Sequence, residues 1–163
     1  MRNVPPFVIL ITMLLLSLTG NAQEKKIAKK DLPPAVLKAF TGAYPQATIK
    51  GLSSEQENGK TYYEIESIEG KTHRDLLYTP DGSLAEIEEG VSLSDLPDPV
   101  KATVKREFPS GRISLAEKTT KGTAVSYELR VSTEKKRMTV TVAPDGKLLS
   151  REPAGGKNEE KND

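Results

Sequence analysis

Over residues 31–44 the apolar positions Val36, Leu37, Phe40 and Tyr44 recur at three- and four-residue spacing, which predicts a helix with one apolar face. Asp31 or Leu32 stands at its cap. Pro33 and Pro34 open the first turn, where a missing N–H costs nothing, and Pro45 stops it. The period then changes to two. Residues 47–53, 61–68, 72–79 and 84–89 read as strands, separated by Asn58-Gly59, Glu69-Gly70 and Pro80-Asp81-Gly82.

The same pattern returns 64 residues later without a gap. Asp31-Leu32-Pro33 reappears as Asp95-Leu96-Pro97, Pro45 as Pro109, Tyr63-Glu64 as Tyr127-Glu128, and Pro80-Asp81-Gly82 as Pro144-Asp145-Gly146. In the second copy Pro97 and Pro99 open a helix striped by Val100, Val104 and Phe108, and Pro109 ends it. Strands follow at 112–119, 123–132, 137–143 and 147–152, with Lys121-Gly122 marking the first turn. The fold expected is α+β: two tandem repeats, each a helix followed by a four-stranded antiparallel sheet, joined into one curved sheet with the helices on one face. The repeats span 31–92 and 93–153.

Alternation assigns faces. Tyr63, Ile65, Leu76 and Tyr78 should face the first helix, with Val125, Tyr127, Leu129, Val131, Met138, Val140 and Val142 on the corresponding side of the second copy. Tyr62, Glu64, Glu66, His73, Asp75 and Leu77 then point away from the helix, as do Glu128, Arg130 and Arg137. A tight turn at Glu69-Gly70 would set Glu66 opposite His73, and Arg130 opposite Arg137 in the second copy. An antiparallel sheet can leave one face to solvent. That face is expected to be acidic in the first copy and basic in the second.

Charge sharpens the contrast. Residues 31–92 hold five Lys and Arg against eleven Asp and Glu, a balance of −6, whereas 93–153 hold twelve against eight, a balance of +4. Drift of solvated surfaces after duplication accounts for such asymmetry as readily as steering of a partner does.

The N-terminus is expected to be removed. Arg2 precedes an uncharged apolar run at 7–18, and Gly20-Asn21-Ala22 places small residues before Gln23, the pattern of a signal peptide over 1–22. The run is short for a membrane span, so no stable membrane insertion follows cleavage; an uncleaved anchor is the alternative. The absence of Cys excludes a lipoprotein anchor and any disulfide. The localisation implied is periplasmic or secreted. Residues 23–30, with Lys25, Lys26, Lys29 and Lys30, read as a flexible basic leader, and 154–163 as a disordered polar tail.

No catalytic constellation emerges. His73 is the single His, and without Cys or an HExxH spacing it reads as a surface residue rather than a base or ligand. Glu64, Glu66 and Asp75 could share a proton or calcium, but a flat sheet face gives them no cleft. Asp81-Gly82 and Asp145-Gly146 fit turns and lack the EF-hand pattern. No GxSxG or GxxxxGK[ST] motif occurs. The basic residues are not interleaved with stacking aromatics, so nucleic acid is not expected. Tyr62, exposed among charges, fits an interface anchor or an ordinary strand former.

The repeated unit of Asp-Leu-Pro, helix, Tyr-Pro or Phe-Pro, strand, Tyr-Glu-(Ile/Leu), strand and Pro-Asp-Gly-x-Leu resembles the PepSY-like, or beta-lactamase-inhibitor-protein-like, group of exported proteins common in Bacteroidetes. The resemblance covers nearly all of 31–152. It implies two helix-plus-sheet units in a larger curved sheet and no enzymatic role. The inhibitor relatives grip an enzyme with the concave sheet face and carry disulfides, which this chain cannot form. The function expected is a non-catalytic binding module, without a cofactor, that docks an exported protein or peptide through Tyr62, Glu64, Glu66, His73, Asp75, Glu128, Arg130 and Arg137. The rival reading is an envelope sensor of a small ligand or ion on the carboxylate-bearing face.

Overall fold

The computed structural model describes residues 24–154. The signal peptide expected over 1–22 and all but the first residue of the tail expected at 154–163 lie outside them.

Helix α1 runs Pro34–Ala43 and α2 runs Asp98–Glu107. Both begin later than the sequence pattern suggests. Pro33 and Pro97 occupy the N-cap positions without a side-chain cap, because Asp31 and Asp95 are taken up in short 3-10 turns, Lys29–Asp31 and Leu93–Asp95. Leu32 and Leu96, between each turn and its helix, are buried. At the other end the N–H of Tyr44 donates to the Phe40 carbonyl and that of Phe108 to the Val104 carbonyl, both at 2.8 Å, before proline stops the chain.

Nine strands form one antiparallel meander in chain order: β1 Lys25–Lys26, β2 Thr48–Glu57, β3 Lys60–Glu69, β4 Thr72–Tyr78, β5 Leu84–Gly90, β6 Arg112–Lys121, β7 Ala124–Ser132, β8 Arg137–Val142 and β9 Leu148–Pro153. The repeats meet where β5 pairs with β6, from Glu86 opposite Lys121 to Gly90 opposite Glu117. The sheet is curved, with both helices on one face. The duplication extends to its irregularities. Register shifts between Ile49 and Gly51 recur between Ile113 and Leu115, and the one between Leu77 and Tyr78 recurs between Thr141 and Val142. Each bulge inserts one unpaired residue and bends its strand.

Three expectations are corrected. Residues 25–31 are not a flexible leader: Lys25 and Lys26 pair with Ser54 and Ser53, and the Ile27 N–H donates to the Leu52 carbonyl while its side chain packs on the first core. The β3–β4 turn is Gly70-Lys71, not Glu69-Gly70, so Glu66 stands opposite Asp75 and His73 opposite Ile68. In the second repeat Arg130 stands opposite Thr139, and Arg137 opposite Ser132. A slip of two residues keeps every side chain on its expected face, which is why alternation could not detect it.

Two apolar clusters fill the space between helices and sheet. One gathers Leu32, Val36, Phe40, Ile65, Leu76, Tyr78 and Ile87. The other gathers Leu96, Val100, Val104, Phe108, Ala116, Leu129, Val131, Met138, Val140 and Val142. The Pro-Asp-Gly turns close each repeat onto its helix. Asp81 accepts from the Ser83 N–H and Asp145 from the Lys147 N–H, folding the turn. Gly82 and Gly146 then lie against the first turns of α1 and α2, where an added Cβ would come within 2.7 Å of the Ala35 carbonyl oxygen and 2.8 Å of that of Pro99.

Candidate binding face

The face opposite the helices is built from alternate residues of every long strand, and the register orders them into rows. The first row reads Lys26, Ser53, Glu64, Leu77, Glu86, Lys121, Ala124. The next reads Gly51, Glu66, Asp75, Glu88, Thr119, Ser126. A third brings Gly90, Glu117, Glu128, Thr141 and Ser150 together, and a fourth Leu115, Arg130, Thr139 and Glu152. All eight residues singled out from the sequence project from this face. Tyr62 sits opposite Glu55. Glu64, Glu66 and Asp75 are direct neighbours within two rows. Burial raises the Asp75 carboxyl, and the charge of His73, exposed at the end of β4 two strand positions away, partly opposes that rise. Glu128, Arg130 and Arg137 lie across the seam in the second repeat, so the structure divides the eight between two areas rather than joining them in one.

The second repeat's open face is less basic than the sequence suggests. Arg112, Arg130 and Arg137 collect at one corner, whereas Glu117, Glu128 and Glu152 share the face with them. Much of the positive excess lies elsewhere, on α2 at Lys101, Lys105 and Arg106. Acidic character therefore continues past the seam before giving way to arginine.

Glu64 and its surroundings show what the sheet does to these charges. The Ser53 hydroxyl, only 2% exposed, donates to Glu64 Oε2 at 2.9 Å. Burial nevertheless pushes the Glu64 carboxyl up, aided by the charges of Asp75, Glu24 and Glu66, and the Ser53 hydrogen bond only partly opposes it. Desolvation likewise raises Asp75 and Glu55. Glu66 folds its carboxylate over Gly51, where a Cβ would come within 2.6 Å of it.

Charges from distant strands act on one another over this area. Four strand spacings separate β2 from β6, about 19 Å on a flat sheet, well beyond the screening length. Even so, the charges of Glu86 and Lys121 act on Glu55, and those of Glu57 and Tyr62 act on Lys121. Lys121 is held by Glu86 at 2.9 Å across the seam. Charges from β2, β5 and β6 thus share one area of the open face. Sequence reasoning missed Ser53, Gly51, Glu86 and Lys121, whose roles depend on pairing between segments far apart in the chain; the only prior signal was the alternation that puts Glu86 and Glu88 on one side.

On the helix side, Arg74 is held by Glu69 at 3.0 Å and Glu89 at 2.9 Å and lies 4.9 Å above the Tyr44 ring. Among the described residues no group of three or more His, Asp or Glu side chains is arranged to hold a metal ion, and no helix is long and apolar enough to cross a membrane.

The family model described as beta-lactamase-inhibitor-like, PepSY-like matches residues 19–86 and again 62–150, and the chain belongs to that family. No curated relative matches the sequence. Among solved structures the chain is similar to a protein of Bacteroides eggerthii described as periplasmic, at 18% identity and TM-score 0.63 over 74% of this chain and 88% of that one. It is also similar to a DUF2874 family protein of Bacteroides uniformis, at 12% identity and TM-score 0.64 over 77% and 92%. A BLIP-like protein of Bacteroides fragilis aligns at 15% identity and TM-score 0.59 over 78% and 89%. At these identities the likeness establishes the fold.

Proposed function

We propose that this chain is an exported, non-catalytic binding module that docks a protein or peptide on the open face of its sheet, in the periplasm or outside the cell. The observation that carries the reading is the face itself. It is the open side of a curved sheet, spans both repeats, and bears positions at which the two copies differ, Tyr62 against Ser126, Glu66 against Arg130 and His73 against Arg137. Residues the copies share, such as Tyr63 and Tyr127 or the Pro-Asp-Gly turns, serve packing instead. Fold alone does not define a partner, but an open, polar, curved sheet face flanked by tyrosine suits protein recognition. The family description and the periplasmic Bacteroides relative support export and binding.

Photo-crosslinking in the native envelope tests this. A photoreactive residue at Tyr62, Glu66 or Arg130 should give a discrete adduct with an exported protein, and one at Lys38 or Lys105 on the helices should not. Adducts only from the helix side, or none from the face, would remove the reading.

A sensor of an ion or small ligand is the second reading, favoured by the cross-strand carboxylates Glu66, Asp75 and Glu88. A thermal-shift series with calcium, zinc and common periplasmic solutes separates the two: stabilisation that follows RT ln(1 + [L]/Kd) supports the sensor, and flat curves count against it.

A further inference from the structure

We infer that the first repeat's half of the open face receives Arg or Lys side chains of a protein partner, stem on Tyr62 and Leu77 and cationic head among Glu64, Glu66 and Asp75. The inference rests on the docking reading and narrows it to one chemistry.

The first argument is the pairing of apolar and acidic positions. Leu77 lies directly between Glu64 and Glu86, and Tyr62 lies two positions along β3 from Glu64, on the same face, and opposite Glu55. Both are half-buried rather than covered. A long cationic side chain has that same division, an aliphatic stem that gains from apolar contact and a charged head that needs carboxylates. Tyr62 adds a ring face to which a guanidinium is attracted.

The second argument is cost. Like charges directly opposite on neighbouring strands destabilise a sheet. Glu66 and Asp75 nevertheless stand opposite each other in the register, the Glu66 carboxylate turned over Gly51 and Asp75 opposed by the charge of His73 alone, and neither makes a hydrogen bond or ion pair among the described residues.

The duplication supplies an internal control. The positions equivalent to Tyr62, Glu66, Asp75 and Leu77 are Ser126, Arg130, Thr139 and Thr141, on the same rows of the same architecture. Glu64 recurs as Glu128, but the fold requires neither the Glu66 and Asp75 acids nor the apolar pair.

The test uses the mature chain and two labelled helical peptides that carry Arg, or Gln at the same positions, on successive turns, read by fluorescence anisotropy at low and moderate salt. The Arg peptide should bind and the Gln peptide should not. Glu64→Gln with Asp75→Asn should weaken binding about tenfold or more, and Tyr62→Ala by about threefold or more. Glu134→Gln with Asp145→Asn, which removes the same charge from turns of the second repeat, should change it less than about twofold. Because neutralising facing acids relieves repulsion, the face variant should melt no lower than the parent, which separates lost binding from lost folding. Failure of the Arg peptide to bind, or equal weakening by both charge variants, would overturn the inference. If crosslinks from the face still capture a protein in that case, docking stands with a partner of other chemistry; if they capture nothing, both readings fall.

Discussion

Gly122 and Gly146 both hold a positive φ, 59° and 88°, but only one of them is crowded. A Cβ at Gly122 would meet nothing within 4 Å, whereas at Gly146 it would meet the Pro99 carbonyl oxygen at 2.8 Å and the Pro99 Cβ at 3.0 Å. Alanine at Gly122 should therefore cost only the left-handed backbone penalty, about 1–2 kcal/mol. Alanine at Gly146 should cost about 3 kcal/mol or more, because the turn must also lift away from α2. Urea denaturation of the two variants measures the difference, and equal losses would mean that the turn does not bear on the helix. Glu64 makes a second test at this scale. Its carboxyl, like those of Glu55 and Asp75, is raised chiefly by desolvation, so the folded chain holds protons that the unfolded chain has released. These groups favour folding most at pH below the ordinary carboxylate values, and the contribution fades as pH rises through their raised ones. Asp81, lowered by its Thr79 and Ser83 hydrogen bonds, acts in the opposite sense but is fully exposed. Lowering the pH from neutral toward about 5 should raise the melting temperature, and Glu64→Gln should flatten that rise. A melting temperature that falls over this interval as steeply in the variant as in the parent would contradict the assignment.

Each repeat solves one packing problem with different chemistry at the level of its elements. In the first, Arg74 is 14% exposed on the helix side of β4, clasped by Glu69 and Glu89 beside Tyr44. The equivalent residues in the second are Met138, Thr133, Pro153 and Phe108, of which Met138 and Phe108 belong to its core. Removing one member of a buried charged cluster strands the others, whereas replacing the whole cluster by apolar groups can be neutral or stabilising. Arg74→Met alone should cost about 1–3 kcal/mol, the low end reflecting the partial exposure of both glutamates. Adding Glu69→Thr and Glu89→Gln should recover most of it, with chemical denaturation of the single and triple variants as the measurement. A triple variant no more stable than the single one would show that the ion cluster contributes through its own geometry. This cluster also marks where the sequence stops being legible. Alternation puts Arg74 in phase with Leu76 and Tyr78, so its burial could be read, but its acidic partners come from the last residue of β3 and the far end of β5. Element type, the repeat and the face of each named site residue followed from local periodicity. The register did not, because Gly70-Lys71 and Glu69-Gly70 turns give the same parity. The expectation of a flexible leader failed for a related reason: four lysines within eight residues look solvated, yet Ile27 among them carries the contact that orders the segment.

Across the whole molecule, the division into 31–92 and 93–153 is a statement about ancestry of pattern, and its physical meaning depends on the β5–β6 seam. Ile87 belongs to the first core, whereas Val91, just past the end of the same strand, packs on the second, and its N–H donates to the Ala116 carbonyl at 2.9 Å. A single strand thus contributes to both cores, and Lys121 is tied back to Glu86. A unit of about 60 residues buries too little surface to be more than marginal, and here it lacks disulfides as well. Cutting between 92 and 93 would expose the β5 edge, strip Val91 of its contacts and open the side of Ile87. The isolated segment 24–92 is therefore expected to be largely unfolded by circular dichroism, and the intact chain to unfold in one transition whose midpoint is the same by far-ultraviolet dichroism and tyrosine fluorescence. Two separated transitions would mean instead that each core sustains its own repeat. The open face between β2 and β6, which lies across the seam, would then be assembled by docking of two folded halves, and its binding properties would change with the angle between them.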